Sequence, residues 1–188
     1  MPAFISKYPI SGLVLTTLLA APVFAAQAPT PQEVQAAIGP LGPVPTPEDN
    51  PLTAAKVELG RKLFNDNRLS GDRSNSCRTC HLPEHGFAAP AKTGPAYPSQ
   101  RERRNSPTLV NVAYNLPLIW DGRAGSLDKQ ALGPLKNIIH MNNTPALVLE
   151  QLKNDPDYPG MFEQAFGGKA MTAQNLGRAI ASYERTLV

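Results

Sequence analysis

The run Cys77-Arg78-Thr79-Cys80-His81 constrains this chain most, because it contains both cysteines and one of the three histidines. Two thiols three positions apart on one turn can reach the same partner, and the residue after them can bring an imidazole toward whatever the thiols hold. This is the C-x-x-C-H pattern of c-type haem attachment, in which each thiol reaches one haem vinyl group and the histidine reaches the iron. A covalently anchored macrocycle also gives helices a large apolar surface to cover. Two rival readings use the same residues. One is a structural zinc site from Cys77, Cys80, His85 and His140, although zinc usually separates its cysteine and histidine pairs by about a dozen residues or more. The other is a redox disulfide of thioredoxin type, which calls for a βαβ context that this sequence does not display.

With 188 residues, 41% of them hydrophobic, the chain suits one compact domain or one domain plus an arm. A net charge of +3, with no long Lys/Arg block, argues against nucleic acid and leaves room for an acidic protein partner. Residues 1–28 read as a secretory signal peptide: Lys7, then GLVLTTLLAAPVFA, then a small-residue cleavage site at Val23-Phe24-Ala25 or Ala26-Gln27-Ala28. A membrane anchor is the rival, but spanning takes about 20 mainly apolar residues and Thr16, Thr17 and Pro22 interrupt this run. Cleavage would leave a periplasmic chain without an anchor, in a compartment where paired thiols are oxidised or otherwise occupied.

Residues 29–51 read as an extended Pro- and Ala-rich arm. Within it Thr30-Pro31-Gln32-Glu33 forms a capping box that predicts a short helix to Ile38. The spacing of Val57, Leu59, Leu63 and Phe64 predicts a helix from Thr53 to about Asn65. The cysteine cluster follows in a polar turn, and proline-rich residues 86–118 read as a long structured loop. Further helices are expected from Leu127 to about Leu132 behind Ser126, from Pro145 to Lys153 behind Thr144, and around Met161–Phe166 before Gly167-Gly168. In the last helix, behind Thr172, Leu176, Ala179, Ile180, Tyr183 and Leu187 share one face. The fold class is all-α with long ordered loops.

Four ordered stretches, LGRKLFNDNRLSGDRSNSCRTCH (59–81), RRNSPTLVNVAYN (103–115), WDGRAGSLDKQALGPLKN (120–137) and RAIASYERTLV (178–188), carry a more specific signal. Together they resemble the N-terminal half of bacterial di-haem cytochrome c peroxidases and the related MauG-type enzymes. The resemblance implies a cytochrome c-like haem domain over residues 52–188. Cys77 and Cys80 would be the thioether anchors, and His81 the proximal iron ligand of the haem that reduces hydrogen peroxide. Electrons would come from a donor cytochrome or cupredoxin through a second haem domain, or a separate subunit, that residues 52–188 do not supply. Trp120 matches a tryptophan between the two haems, with a large core residue as the alternative. Gln130 matches a distal-pocket glutamine, and Asn105 a residue near an interdomain calcium. Asp121, Gly122 and Arg123 read as structural, Arg123 as a candidate for a buried ion pair.

The sequence departs from the family pattern in two places. His140 stands where the family has its glutamate acid/base; an imidazole there can exchange protons with peroxide, bind the iron itself, or be an ordinary histidine. The loop AKTGPAYPSQRERRNSP lacks the histidine that serves part of the family as a removable iron ligand, which brings this chain nearer the MauG-like branch. His85 reads as structural or as lying at the haem edge. Arg101, Arg103 and Arg104 read as propionate or partner contacts, or as solvated loop residues. Two function classes follow. One is a peroxidase module using His140, Gln130 and Trp120. The other is a single-haem electron-transfer cytochrome c with His140 or Met141 as sixth ligand, Met141, Met161 and Met171 otherwise being core residues.

Overall fold

The computed structural model describes residues 30–33, 39–97, 100–168 and 170–188. The expected signal peptide and the later part of the helix expected to end at Ile38 lie outside them. The chain divides into two units, Met1–Pro40 and Leu41–Val188. In the first, residues 31–33 are helical. The Glu33 carboxylate accepts from the Thr30 N–H at 2.7 Å, and the Thr30 hydroxyl accepts from the Glu33 N–H at 3.3 Å, which is the reciprocal capping box.

The second unit is mostly helical. Helix α1, Ala54–Phe64, starts where the Thr53 side chain accepts from the Lys56 N–H, and it ends at Asn65 with Arg61 and Lys62 in the last turn, favourably placed on the helix dipole. Residues Cys77–Cys80 form one helical turn, α2, where a polar turn was expected. Leu127–Gln130 is α3, capped by Ser126, and Gly133–Lys136 is a separate short helix, α4. Helix α5, Pro145–Lys153, is capped by Thr144. Helix α6 spans Tyr158–Phe166, one turn longer at its start than the sequence predicts, and ends at Gly167. The last helix, α7, spans Ala173–Glu184 behind the Thr172 cap. The long loop contains a minimal antiparallel hairpin, β1 Pro95–Ala96 with β2 Gln100–Arg101.

Helix α7 is central, with α1, α3, α5 and α6 all packed against it. One core cluster gathers Leu59, Leu63, Leu135, Val148, Leu152, Tyr158, Phe162, Leu176 and Ile180. A second gathers Phe64, Leu109, Val112, Leu118, Leu127 and Ala181. Cys77 packs against both. Residues 41–51, expected in an extended arm, carry no helix yet belong to this unit, where Asn50 is fully buried. The Asn50 amide donates to Asp128 and to the Arg178 carbonyl, both at 3.1 Å, and its oxygen accepts from Lys56 Nζ at 3.1 Å.

The crossing of α1 and α7 demands glycine at position 60, because a Cβ there would overlap the Ala179 carbonyl and crowd Tyr183. Gly60→Ala should therefore lower stability by at least about 1–3 kcal/mol, the usual cost of overpacking. Gly42→Ala, with open space around its Cβ, serves as the control. Thermal unfolding followed by circular dichroism checks this, and equal midpoints for the two variants would contradict the packing argument.

Candidate functional site

The site is built outward from the α2 turn. The Ser76 N–H donates to Thr79 Oγ1 at 2.9 Å and the His81 N–H donates to the Cys77 carbonyl at 3.0 Å, so the turn is closed at both ends. The chain then reverses through Pro83–His85 and Gly86, whose φ of 62° lies in the left-handed region that glycine adopts without strain. This reversal pairs the Phe87 N–H with the Leu82 carbonyl at 2.8 Å and brings the Phe87 carbonyl back to the His81 ring. Residues 105–109 run alongside. The Asn105 amide donates to the Ala89 and Ala91 carbonyls at 3.1 and 2.6 Å, and the Leu109 N–H donates to the Phe87 carbonyl at 3.2 Å.

His81 Nδ1 consequently faces two carbonyl oxygens, those of Phe87 and Pro107, each at 3.1 Å. Carbonyls only accept, so Nδ1 carries the hydrogen and Nε2 keeps its lone pair. Burial also holds this imidazole below its usual pKa, favouring the neutral form. Such an orienting hydrogen bond is the ordinary support of a metal-ligating histidine.

Cys77, Cys80 and His81 open onto a cavity of about 890 Å³ whose wall also includes Asn105, Trp120, Gln130 and His140. Cys77, Cys80, His81, Asn105, Trp120, Gln130 and His140 thus border one space, of a size usual for cofactor sites. Its apolar wall is drawn from Leu109, Val112, Leu118, Leu127, Met141 and Ile180. The two sulfurs are not joined. Burial raises both thiol pKa values, that of Cys80 to about 11, the reverse of an activated redox thiolate. Zinc ligation is not assembled either: His85 is exposed and outside the cavity wall, and among the described residues no group of three or more His, Cys, Asp or Glu is gathered.

Other expectations are modified by the geometry. Trp120 is 62% exposed, not a core residue, and its indole N–H donates to the Asn105 carbonyl at 2.9 Å. Arg123 is also exposed, and its ion pair with Asp121 lies at the surface, not in the interior. Arg101 is held by Thr93, whereas Arg103 and Arg104 reach the cavity wall. Met141 is buried in the first core cluster and also borders the cavity. Met161 and Met171 pack on that cluster. The Asn105 amide nitrogen is engaged in joining the two loop arms, which leaves Oδ1 as the side-chain atom that a calcium ion there would use.

Two carboxyls in the wall escaped the sequence reading. Glu102 lies 3.1 Å from His140 Nε2. Burial raises the Glu102 pKa, while burial and the nearby Arg123 guanidinium lower that of His140. Glu184 is buried, its Oε2 lacks any hydrogen-bond partner, and burial pushes its pKa up to about 8. Its signal was present in the sequence, since Leu176, Ile180 and Glu184 recur every four residues along the apolar stripe of α7.

Comparison with known proteins gives the family. The family model described as "Di-haem cytochrome c peroxidase" matches residues 54–188. The chain belongs to the di-haem cytochrome c peroxidase family. It is 40% identical over 151 residues to cytochrome-c peroxidase IdrP1 of Pseudomonas sp. (strain SCT), covering 80% of this chain and 40% of that protein. Cytochrome c551 peroxidase of Pseudomonas aeruginosa is 42% identical over 140 residues, covering 73% of this chain and 40% of that one. A crystal structure of a MauG-like protein associated with microbial copper homeostasis superimposes with a TM-score of 0.74 at 29% identity, covering 78% of this chain and 44% of that chain. The chain therefore spans about 40% of the length of the curated relatives it matches.

Membership implies haem c, and the donor set fits that group: two thiols on one turn, a neutral imidazole with Nε2 free, and an apolar cavity at their side. The buried Glu184 carboxyl in this wall gives a pH dependence with a definite sign. Its folded pKa of about 8 exceeds the ordinary value of 4.5, so folding retains a proton that unfolding releases between those limits. Stability should fall as pH rises from about 5 to 8, by an amount on the order of a few kcal/mol, and Glu184→Gln should remove that part of the decline. Urea midpoints at pH 5 and pH 8 for both proteins test it; parallel declines would rule out Glu184 as the source.

Proposed function

We infer that this chain is the peroxide-handling haem module of a di-haem cytochrome c peroxidase-type oxidoreductase, with a cytochrome c-like fold over residues 52–188. The observation that carries this reading is the pairing of His81, its Nε2 left free by two carbonyls, with Gln130 and His140 on the wall of the same cavity. Cys77 and Cys80 would form the thioether bonds and His81 Nε2 would hold the iron. A bound haem would supply the redox centre at which hydrogen peroxide accepts electrons.

The chain's own groups have defined tasks. His140 takes a proton from the attacking peroxide oxygen and returns one to the departing oxygen; an imidazole kept neutral by burial is ready to accept it. Gln130 orients peroxide by hydrogen bonding. Trp120 lies in the cavity wall and at the surface, and provides a route for electrons between the site and a donor cytochrome, cupredoxin or second haem domain. The signal-like residues 1–28 support export to the periplasm. Among the described residues no helix is long and apolar enough to cross a membrane.

The visible spectrum of the purified haem-loaded protein tests the reading. A high-spin ferric spectrum that changes promptly with stoichiometric peroxide is expected. His140→Ala should slow that change by about 10²–10⁴-fold, the usual worth of general acid–base catalysis. A low-spin spectrum indifferent to peroxide would replace this reading with a single-haem electron carrier, and in that case His140→Ala would open the iron and speed the reaction.

A further inference from the structure

We propose that Glu102 is the positioning residue for His140, fixing which imidazole nitrogen is available to exchange a proton. The proposal rests on the assignment of His140 as acid/base. Glu102 Oε1 lies 3.1 Å from His140 Nε2, with the carboxylate side chain only 13% exposed and the imidazole 36%. Both residues border the same cavity. An exposed ion pair would carry little weight, but a carboxylate this sheltered is poorly screened.

The contact is held from both sides. Glu102 follows β2, and its N–H donates to the Gly94 carbonyl at 2.9 Å, which ties it to the start of the hairpin. The hairpin docks directly on the His140 segment, because the Tyr97 N–H donates to the Ile139 carbonyl at 2.8 Å. The His140 segment is itself a closed turn: the N–H groups of His140 and Asn142 donate to the Asn137 carbonyl at 3.0 and 2.9 Å, and Asn137 Oδ1 accepts from the Ile139 N–H at 3.0 Å. Asn75 adds a 3.4 Å bond to the His140 carbonyl. Backbone bonds thus bring two segments, separated by nearly forty residues of sequence, to the one point where carboxylate meets imidazole.

The chemistry follows from what each group can do. An ionised carboxylate accepts and never donates, so the imidazole nitrogen facing it carries the hydrogen. Nε2–H is directed at Glu102, and Nδ1 keeps the lone pair that can take a proton. When that proton arrives, the positive ring lies against the carboxylate, which counters the repulsion from Arg123 close to the same imidazole. This is the role of the acid in a serine protease triad, which holds a histidine in one tautomer and steadies its charged form without itself gaining the proton. Contacts of this kind tighten when the reacting species are bound.

The test uses the haem-loaded chain and four variants: Glu102→Gln, Glu102→Asp, His140→Ala and the Glu102→Gln/His140→Ala double. Glutamine keeps the shape but can both donate and accept, so the tautomer is no longer dictated. The rate of the peroxide-induced spectral change should fall at least about tenfold in Glu102→Gln. It should stay within about threefold of the parent in Glu102→Asp, and should not fall further in the double variant than in His140→Ala alone. Independently of activity, ¹⁵N shifts of the labelled His140 ring in the diamagnetic ferrous carbon monoxide form should show the Nε2–H tautomer in the parent and a mixture in Glu102→Gln. An Nδ1–H tautomer in the parent, or an equal loss from Glu102→Gln whether or not His140 is present, would overturn the proposal. A parental rate in His140→Ala would overturn the acid/base assignment and the catalytic part of the proposal, while the nitrogen shifts still decide whether Glu102 sets the tautomer.

Discussion

The turn Ser76–His81 is where the architecture of this protein is decided, because Cys77 touches both hydrophobic clusters while its neighbours open onto the cavity between them. Clusters that meet at a cavity edge depend on that edge being held, and here backbone bonds hold it, with the Phe87 and Pro107 carbonyls fixing the adjacent imidazole. An apolar ligand in such a cavity gains about 25 cal/mol for each Å² it covers, so a few hundred Å² amount to several kcal/mol. That is comparable with the whole net stability of a domain. Covalent attachment and folding are therefore expected to reinforce each other in this chain.

A second constraint stands behind the first. Asn50, Lys56, Asp128 and Arg185 form a buried polar network: Arg185 Nη1 meets Asp128 Oδ1 at 3.2 Å, and Asn50 joins Asp128 to Lys56 and to the Arg178 carbonyl. Removing one member would leave another charged or polar group buried without a partner, which is costly even where the intact set adds little net stability. The network links α1, α3, α7 and the segment before Thr53. Asp128 shares its single helical turn with Gln130, so the interactions that anchor α3 also determine where the glutamine meets the cavity. Glu184 differs from these groups. It occupies the same helix as Arg178 and lies next to Arg185, but its Oε2 has no partner, and burial favours its protonated form, which spares the interior a charge.

The parts of this structure legible in the sequence are those governed by local rules. Ser126, Thr144 and Thr172 each cap the helix expected of them, and Thr53, read as the start of a helix, caps it, because a capping side chain and its backbone partner lie within three residues. The Cys77-to-His81 spacing is equally local. What escaped depends on contacts remote in sequence. The Glu102 loop reads as a solvated RERR segment until the hairpin brings it to Ile139. Residues 41–51 read as an arm because their buried partner, Asp128, is nearly eighty positions away. Arg123 has the opposite history: its expected ion pair formed with its close neighbour Asp121, but the motif turned outward, a choice made by packing and not by spacing.

His140 makes the relation between motif and environment concrete. In the resemblance drawn from the sequence, a carboxylate occupies its position, and exchanging a carboxylate for an imidazole alters both the charge of the wall and the protonation state available near neutral pH. An imidazole alone would be at a disadvantage here, since burial and Arg123 both oppose its charged form. Glu102, supplied by a different loop, places a carboxyl 3.1 Å from that same imidazole. The substitution and the unusual loop are then two halves of one arrangement. On the proposed assignment, the carboxyl absent from position 140 is supplied beside it by Glu102, whose side chain is only 13% exposed.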